Sequence, residues 1–158
     1  MIDQNTQVIK TNQKRGWFPV NSCPRLPVSG GRTSINLLGA VTDDGARFIS
    51  FVEGSFTGKV AAHFLHALQQ EFGEKLVIVL DNAPYFIAKH LKKQAATAGL
   101  LLEYLPPYAP EMNPVEQCWR QLNDGRANRL YHTLPELKAY LTAKLPTLNS
   151  PKTYEYLC

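Results

Sequence analysis

The stretch KLVIVLDNAP (residues 75–84) decides how this chain folds. Leu76 to Leu80 is a continuous apolar run, rich in Val and Ile and too short to be a helix of its own. Such a run reads as a strand buried on both faces, the kind that parallel sheets contain. Asp81 is the first polar residue after it, and Pro84 opens a stretch to Gly99 that reads as helix, with a basic face of Lys89, Lys92 and Lys93. A second apolar run, LLLEYL (100–105), is stopped by Pro106-Pro107, which cannot donate to a ladder. Strand, helix and strand in succession predict an α/β domain with a parallel pair.

Upstream, SINLLGAVT (34–42) and ARFISFVE (46–53) are β-rich runs joined by Asp43-Asp44-Gly45, a hairpin signal that accounts for both acids. Val60, Phe64 and Leu68, with Ala61, Leu65 and Phe72 beside them, predict a helix from Thr57 to Gly73. Residues 10–33 are loop-rich and basic, with a weak strand around Trp17 as the one element expected there. Downstream, Val115, Trp119 and Leu122 mark a helix face, with Cys118 alongside. Thr133-Leu134-Pro135-Glu136 is a capping box for a last helix that turns Leu137, Tyr140, Leu141 and Leu145 inward. No repeat or linker interrupts this order. It predicts a β-meander followed by β-α-β-α units over residues 1–147, and a loose polar tail over 148–158.

A chain of 158 residues is one domain with room for a real core. No apolar run approaches a membrane span, and MIDQNTQVIK has nothing like a signal-peptide core. Cys23, Cys118 and Cys158 are odd in number and lack metal-ligand spacing, which suggests a reduced, intracellular protein. Cys118 lies one helical step from the core face with no His neighbour, so burial is expected rather than reactivity. The formal charge of +4 permits a polyanionic partner without requiring one.

Three carboxylates carry the candidate chemistry. Open α/β sheets place their sites beyond the carboxyl ends of the strands, where Asp81 stands. Asp81 or Asn82 would equally serve as cap of the following helix. Asn113-Pro114-Val115-Glu116 reads as N-cap, N1, N2 and N3, which explains Glu116 by capping alone. A first-turn Glu beside a proline-stiffened loop is also a well-aimed acid. Asp3 either closes a short strand ahead of the polar run QNTQ or belongs to a loose terminus. Together, three carboxylates from separate segments are what Mg²⁺ requires, and a pair of such ions can clamp both oxygens of an in-line phosphoryl displacement. His63 and His66, three apart on a helix, lack a further ligand and are expected to be partly exposed. Glu111 lies in the proline loop, and SGGR (29–32) lacks the strand–loop–helix context of a nucleotide site.

LVIVLDNAP (76–84) followed by EYLPPYAPEMNPVEQCW (103–119) resembles the catalytic domain of DDE transposases of the mariner superfamily, in their prokaryotic insertion-sequence branch. Between Asp81 and Glu116 lie 34 residues, as between the second and third catalytic acids of many of these enzymes. RGWFPVNSCPRLPVSGGRTSINLLGAV (15–41) resembles the stretch that follows the family's first acid, which places that acid at Asp3. The resemblance covers nearly the whole chain. It implies a ribonuclease-H-like α/β fold, a mixed five-stranded sheet flanked by helices, with the first strand shortened at its start. It implies Asp3, Asp81 and Glu116 as catalytic and metal-binding residues, holding two Mg²⁺ (or Mn²⁺) ions. The activity implied is DNA strand cleavage and strand transfer at transposon ends. The partners implied are double-stranded DNA, as transposon end and target, and a second copy in a homodimer; the location is the cytoplasm, at the nucleoid.

Arg15, Arg120 and Arg126 are the expected phosphate contacts near the metals, which would make affinity fall steeply with salt. Tyr85 and Tyr108 are candidates for stacking on an unpaired end, while packing is the first expectation for Trp17. The chain departs from the family pattern in carrying Gln4 after the first acid, Phe86 where many members have His, and only two residues before Asp3. A competing reading is a catalytically silent DNA-binding or oligomerisation remnant with the same fold.

Overall fold

The alternation of side chains along the meander assigns each residue to one of two helical layers. In the computed structural model, which describes residues 1–22, 25–73, 75–107, 109–150 and 152, the meander comprises β1 (Ile2–Val8), β2 (Ser34–Val41) and β3 (Arg47–Val52). All three are antiparallel, in the order β1-β2-β3, with Ile2 opposite Ala40 and Asn36 opposite Val52. Leu38, Ala40, Phe48 and Val52 point to one core, whereas Leu37, Val41, Ile49 and Phe51 point to the other. This is the period of two expected of a pleated strand, here with both faces covered.

The first core is closed by α1 (Gly58–Phe72), α2 (Pro84–Ile87) and α3 (Lys89–Thr97), the second by α4 (Val115–Gly125) and α5 (Leu134–Lys144). Between these helices run β4 (Val77–Leu80) and β5 (Leu101–Tyr104), paired in parallel with Val77 opposite Leu101. β1 lies against β4, so the five strands form two hydrogen-bonded pieces brought side by side. The ribonuclease-H-like α/β expectation is met. Thr57 caps α1 through its side chain to the Val60 amide, and Gly73 ends it at φ 102. Thr133 caps α5 in the same way, while the Glu136 carboxylate reaches back to the amide of His132. Among the described residues no helix is long and apolar enough to cross a membrane.

The structure corrects six sequence expectations, each for a local reason. The helix expected from Pro84 to Gly99 breaks at Ala88, which is extended at φ −57, ψ 133. The carbonyl of Phe86, which a continuous helix would give to an amide four residues on, instead accepts the Tyr104 hydroxyl at 3.0 Å. β4 and β5 are covered on one face only: Ile78 and Leu80 are buried, but Val77 is 62% and Leu101 55% exposed. The α4–α5 layer spans the meander and does not reach them.

Asp3 does not close a short strand, because β1 continues through the polar run to Val8. Its polar side chains are satisfied by neighbours: Thr6 Oγ1 donates to Asn36 Oδ1 at 2.8 Å, and Gln7 is bridged to Asn123 and Arg126. No strand forms around Trp17, and that ring is fully exposed rather than packed. The backbone of this loop is taken up at its stem, Ile9 to Thr33 and Thr11 to Ser29, and at Asn128, which pairs with both backbone groups of Lys14. Finally, the residues at 148–150, expected to open a loose tail, are held in place. Leu148 is buried in the second core, and Asn149 exchanges hydrogen bonds with the Gln121 side chain. Cys23, Tyr108 and Cys158 lie outside the described residues; Cys118 is buried and its thiol is pushed up by that burial.

Candidate active site

Asp81 follows β4 directly, and its Oδ1 accepts the Ala83 amide at 3.0 Å. That bond turns the chain towards α2 without using the carboxylate's second oxygen. The next residue ties the two parallel strands together at their carboxyl ends, Asn82 Nδ2 donating to the Leu105 carbonyl at 2.8 Å. The chain then passes through Pro106-Pro107 and a 3₁₀ turn, Pro110–Met112, into α4.

Asn113 fixes where α4 begins. It is extended (φ −100, ψ 106), and its Oδ1 accepts the Val115 amide at 3.1 Å while Pro114 already has helical angles. Its Nδ2 donates to the carbonyl of Ile2 at 3.3 Å. One buried amide therefore locks the first turn of α4, with Glu116 on it, to the strand that carries Asp3. The capping-box role expected for Glu116 is absent: its carboxylate accepts no hydrogen bond from the described residues. Its place in the first turn suits a negative charge near the positive end of the helix dipole.

Asp3 is 5% exposed, and its Oδ2 accepts the indole Nε1–H of Trp119 at 2.9 Å. Trp119 reaches it by lying across Gly39, the cross-strand partner of Asp3. A Cβ at position 39 would stand 2.7 and 2.8 Å from the Trp119 ring, closer than carbon atoms approach. Gly39→Ala is therefore expected to cost about 1–3 kcal/mol of stability by overpacking. It should also displace Trp119 from Asp3. Urea unfolding with indole fluorescence measures both; an unchanged midpoint and spectrum would refute the packing argument.

Asp3, Asp81 and Glu116 line one cavity of about 430 Å³, whose walls include Pro106, Pro107 and Pro110. No cation pairs with any of the three among the described residues. The consequence appears at Asp3, whose carboxyl is pushed up to about 7. Burial is the main cause, and the charges of Glu116 and Asp81 add to it, against the opposing hydrogen bonds of the Gln4 amide and Trp119. Wider cavities exist, such as the groove of about 520 Å³ between α1 and α3 lined by His63, His66, His90 and Lys93. The three-carboxylate cavity is singled out by its chemistry, a concentration of unneutralised oxygen donors.

That donor set fits a hard divalent cation. Among the described residues no three His, Cys, Asp or Glu side chains converge on a single ion position. Mg²⁺ does not need such a cage: it is held by one or two carboxylates and completes its octahedron with water and substrate phosphate. Three separately mounted carboxylates around one cavity match that habit.

The three arginines diverge. Arg120 is exposed on α4, one turn beyond Glu116. Arg15 is exposed beside Lys14, whose Nζ pairs with Asp124 at 2.7 Å, eight residues and roughly 12 Å along the helix from Glu116. Arg126 is withdrawn altogether. It is 5% exposed, and its guanidinium donates to Gln7 Oε1 at 2.8 Å and to the carbonyls of Val8 and Lys10. It brackets the end of β1, with both terminal guanidinium nitrogens committed to protein oxygens. Tyr85, the candidate for stacking, packs its ring on Phe56 and Phe86. Sequence reasoning missed the Asn113–Ile2 and Trp119–Asp3 ties; the Asn-Pro dipeptide was the only signal of the first.

Comparison with known proteins places these features. A family model described as "DDE superfamily endonuclease" matches residues 1–138. A curated relative from Sinorhizobium fredii (strain NBRC 101917 / NGR234), the uncharacterized protein y4pE/y4sA, is 31% identical over 72 residues, 45% of this chain and 51% of that one. Among solved structures, a pre-cleavage Mos1 transpososome superposes with a TM-score of 0.74 at 13% identity, covering 99% of this chain and 49% of that chain. The Mos1 mariner paired-end complex with Mn gives 0.73 at 14% identity, with coverage of 99% and 49%. The Mos1 transposase catalytic domain with raltegravir and Mg gives 0.64 at 14%, covering 78% of this chain and 68% of that chain. At these identities the structural likeness is one of fold. The chain spans about half the length of the curated relative and of the transposase chains in those two complexes.

Proposed function

The chain belongs to the DDE superfamily of endonucleases, and on that premise we propose that it is a transposase catalytic domain. Its reaction is divalent-metal-dependent DNA strand cleavage, followed by strand transfer at transposon ends. One observation carries the reading: Asp3, Asp81 and Glu116, from three separate elements, line one cavity, and no cation among the described residues pairs with them. The carboxylates would hold two Mg²⁺ or Mn²⁺ ions. Such a pair, when bound, supplies activation of water or a 3′-hydroxyl and charge stabilisation of the departing oxygen. The Mos1 structures that resemble this chain in fold include paired-end complexes with Mg and with Mn, and one with left transposon end, which supports the metal and partner assignment.

The chain's own residues prepare that chemistry by fixing ligands. The Trp119 indole orients the Asp3 carboxylate, and the Ala83 amide orients that of Asp81. Asn113 holds the turn that carries Glu116. The proline walls limit how far the loop between β5 and α4 can move, so less order is lost when substrate enters. Arg120, exposed one turn from Glu116, is the nearest of the proposed phosphate contacts. Arg15 sits further along α4 and would meet the backbone of a longer duplex segment. The proposed substrate is double-stranded DNA, with transposon end and target both bound, and the proposed assembly is a homodimer that presents two such sites. The insertion-sequence branch is the proposed origin, with the Sinorhizobium relative as its bacterial pointer.

Nicking of supercoiled DNA carrying candidate element ends tests the reading. The expected result is cleavage that requires Mn²⁺ or Mg²⁺ and is lost in Glu116→Gln. Metal-independent binding without any nicking, unchanged by Asp81→Asn, would instead support the silent DNA-binding reading.

A further inference from the structure

Tyr85 carries a buried polar group that the proposed chemistry leaves unused. Its hydroxyl is shut off from solvent and has no hydrogen-bond partner among the described residues. Its ring packs on Phe56 and Phe86, 5.6 Å and 4.7 Å away, centroid to centroid. A buried hydroxyl without a partner costs about 1–3 kcal/mol, a penalty that Phe in the same slot would avoid. The position is also specific. Tyr85 is on α2, four residues past Asp81, and the charges felt at its hydroxyl are those of Asp81 first and Asp3 second. Burial, with those two charges added, pushes its ionisation upward, so it stays a neutral donor at any working pH. Asp81, meanwhile, has one oxygen on the Ala83 amide and accepts nothing on the other from the described residues.

We propose that Tyr85 is a positioning residue for Asp81: its hydroxyl donates to the Asp81 carboxylate once that group turns to hold a divalent ion. The inference rests on the metal-binding reading above. It gives the buried, unpaired hydroxyl an acceptor. A carboxylate that coordinates a metal is held in orientation by a hydrogen bond to its far oxygen, and losing such a bond commonly weakens metal affinity 10–100-fold.

The test is Mn²⁺ titration of the full chain, following free Mn²⁺ by electron paramagnetic resonance, with Tyr85→Phe beside the parent. Thermal unfolding of both metal-free proteins accompanies it. The expected result is a Kd for Mn²⁺ at least tenfold weaker in Tyr85→Phe, with a metal-free Tm equal to or above the parent's. Nicking by the variant should recover when Mn²⁺ is raised. Equal Mn²⁺ affinity in the two proteins would overturn the positioning role and leave the metal reading intact. A lower metal-free Tm would make the hydroxyl a structural group and overturn it as well. A parent that takes up no Mn²⁺ would remove the metal reading itself, and this inference with it.

Discussion

Asp3→Asn is expected to raise the stability of the metal-free protein at pH 8 while abolishing its Mn²⁺ binding. The folded chain pushes the Asp3 carboxyl up to about 7 from its ordinary 3.8, chiefly by burial and then by the charges of Glu116 and Asp81. A group whose folded value is raised binds its proton more tightly in the native state. Its contribution is therefore complete below about pH 4 and is lost as pH rises through about 7. The loss is on the order of 2–4 kcal/mol, reached once the carboxyl is ionised. Asn cannot ionise and still offers an oxygen to the Trp119 indole, so the variant lacks this pH dependence. Urea unfolding at pH 4 and pH 8 isolates the effect as the difference between the two proteins. They should agree at the lower pH, with the variant more stable at the higher. Saturating Mn²⁺ should then stabilise the parent alone, because only a state that binds the ion gains from it. Equal stabilities at pH 8 would remove the argument that this cavity stores unneutralised charge.

The second large effect is kinetic. Glu116→Gln is expected to reduce metal-dependent nicking by about a thousandfold or more, with little change in folding. Gln keeps the size of the side chain, and the start of α4 is held by Asn113, not by Glu116. The stability cost is then limited to the lost charge–dipole interaction, about 0.3–1 kcal/mol. The catalytic cost is larger because bound metal contributes several kcal/mol of transition-state stabilisation, and about 4 kcal/mol corresponds to a thousandfold in rate. Single-turnover cleavage by folded, Mn²⁺-saturated protein measures it. Parental rates in Glu116→Gln would show that the chemistry lies elsewhere.

Local chemistry made much of this protein legible in its sequence. The hairpin at Asp43-Asp44-Gly45, the caps at Thr57 and Thr133, and the apolar runs that became β4 and β5 all depend on neighbours a few residues apart. The approach of Asp81 and Glu116 to one cavity also follows from strand ends and a stiff loop, whereas the place of Asp3 came only through the family resemblance. What escaped were contacts between distant segments. Arg126 looked like a surface cation because nothing near it in sequence marks a buried position; its partners Gln7, Val8 and Lys10 are more than a hundred residues away. The need for Gly39 is invisible without Trp119 lying across it. At the break before Ala88 the Phe86 carbonyl accepts the hydroxyl of Tyr104, which sequence spacing does not connect to Phe86. Trp17 shows the converse: a large aromatic side chain suggested packing, but no element of the fold covers it.

The most direct test of the central claim is anomalous diffraction from crystals of this chain soaked in Mn²⁺ at the manganese edge. Ions at the cavity between the end of β4 and the first turn of α4, touched by Asp3, Asp81 and Glu116, are the predicted result. A cavity empty of manganese at saturating concentration, or ions held only by other residues, would contradict it.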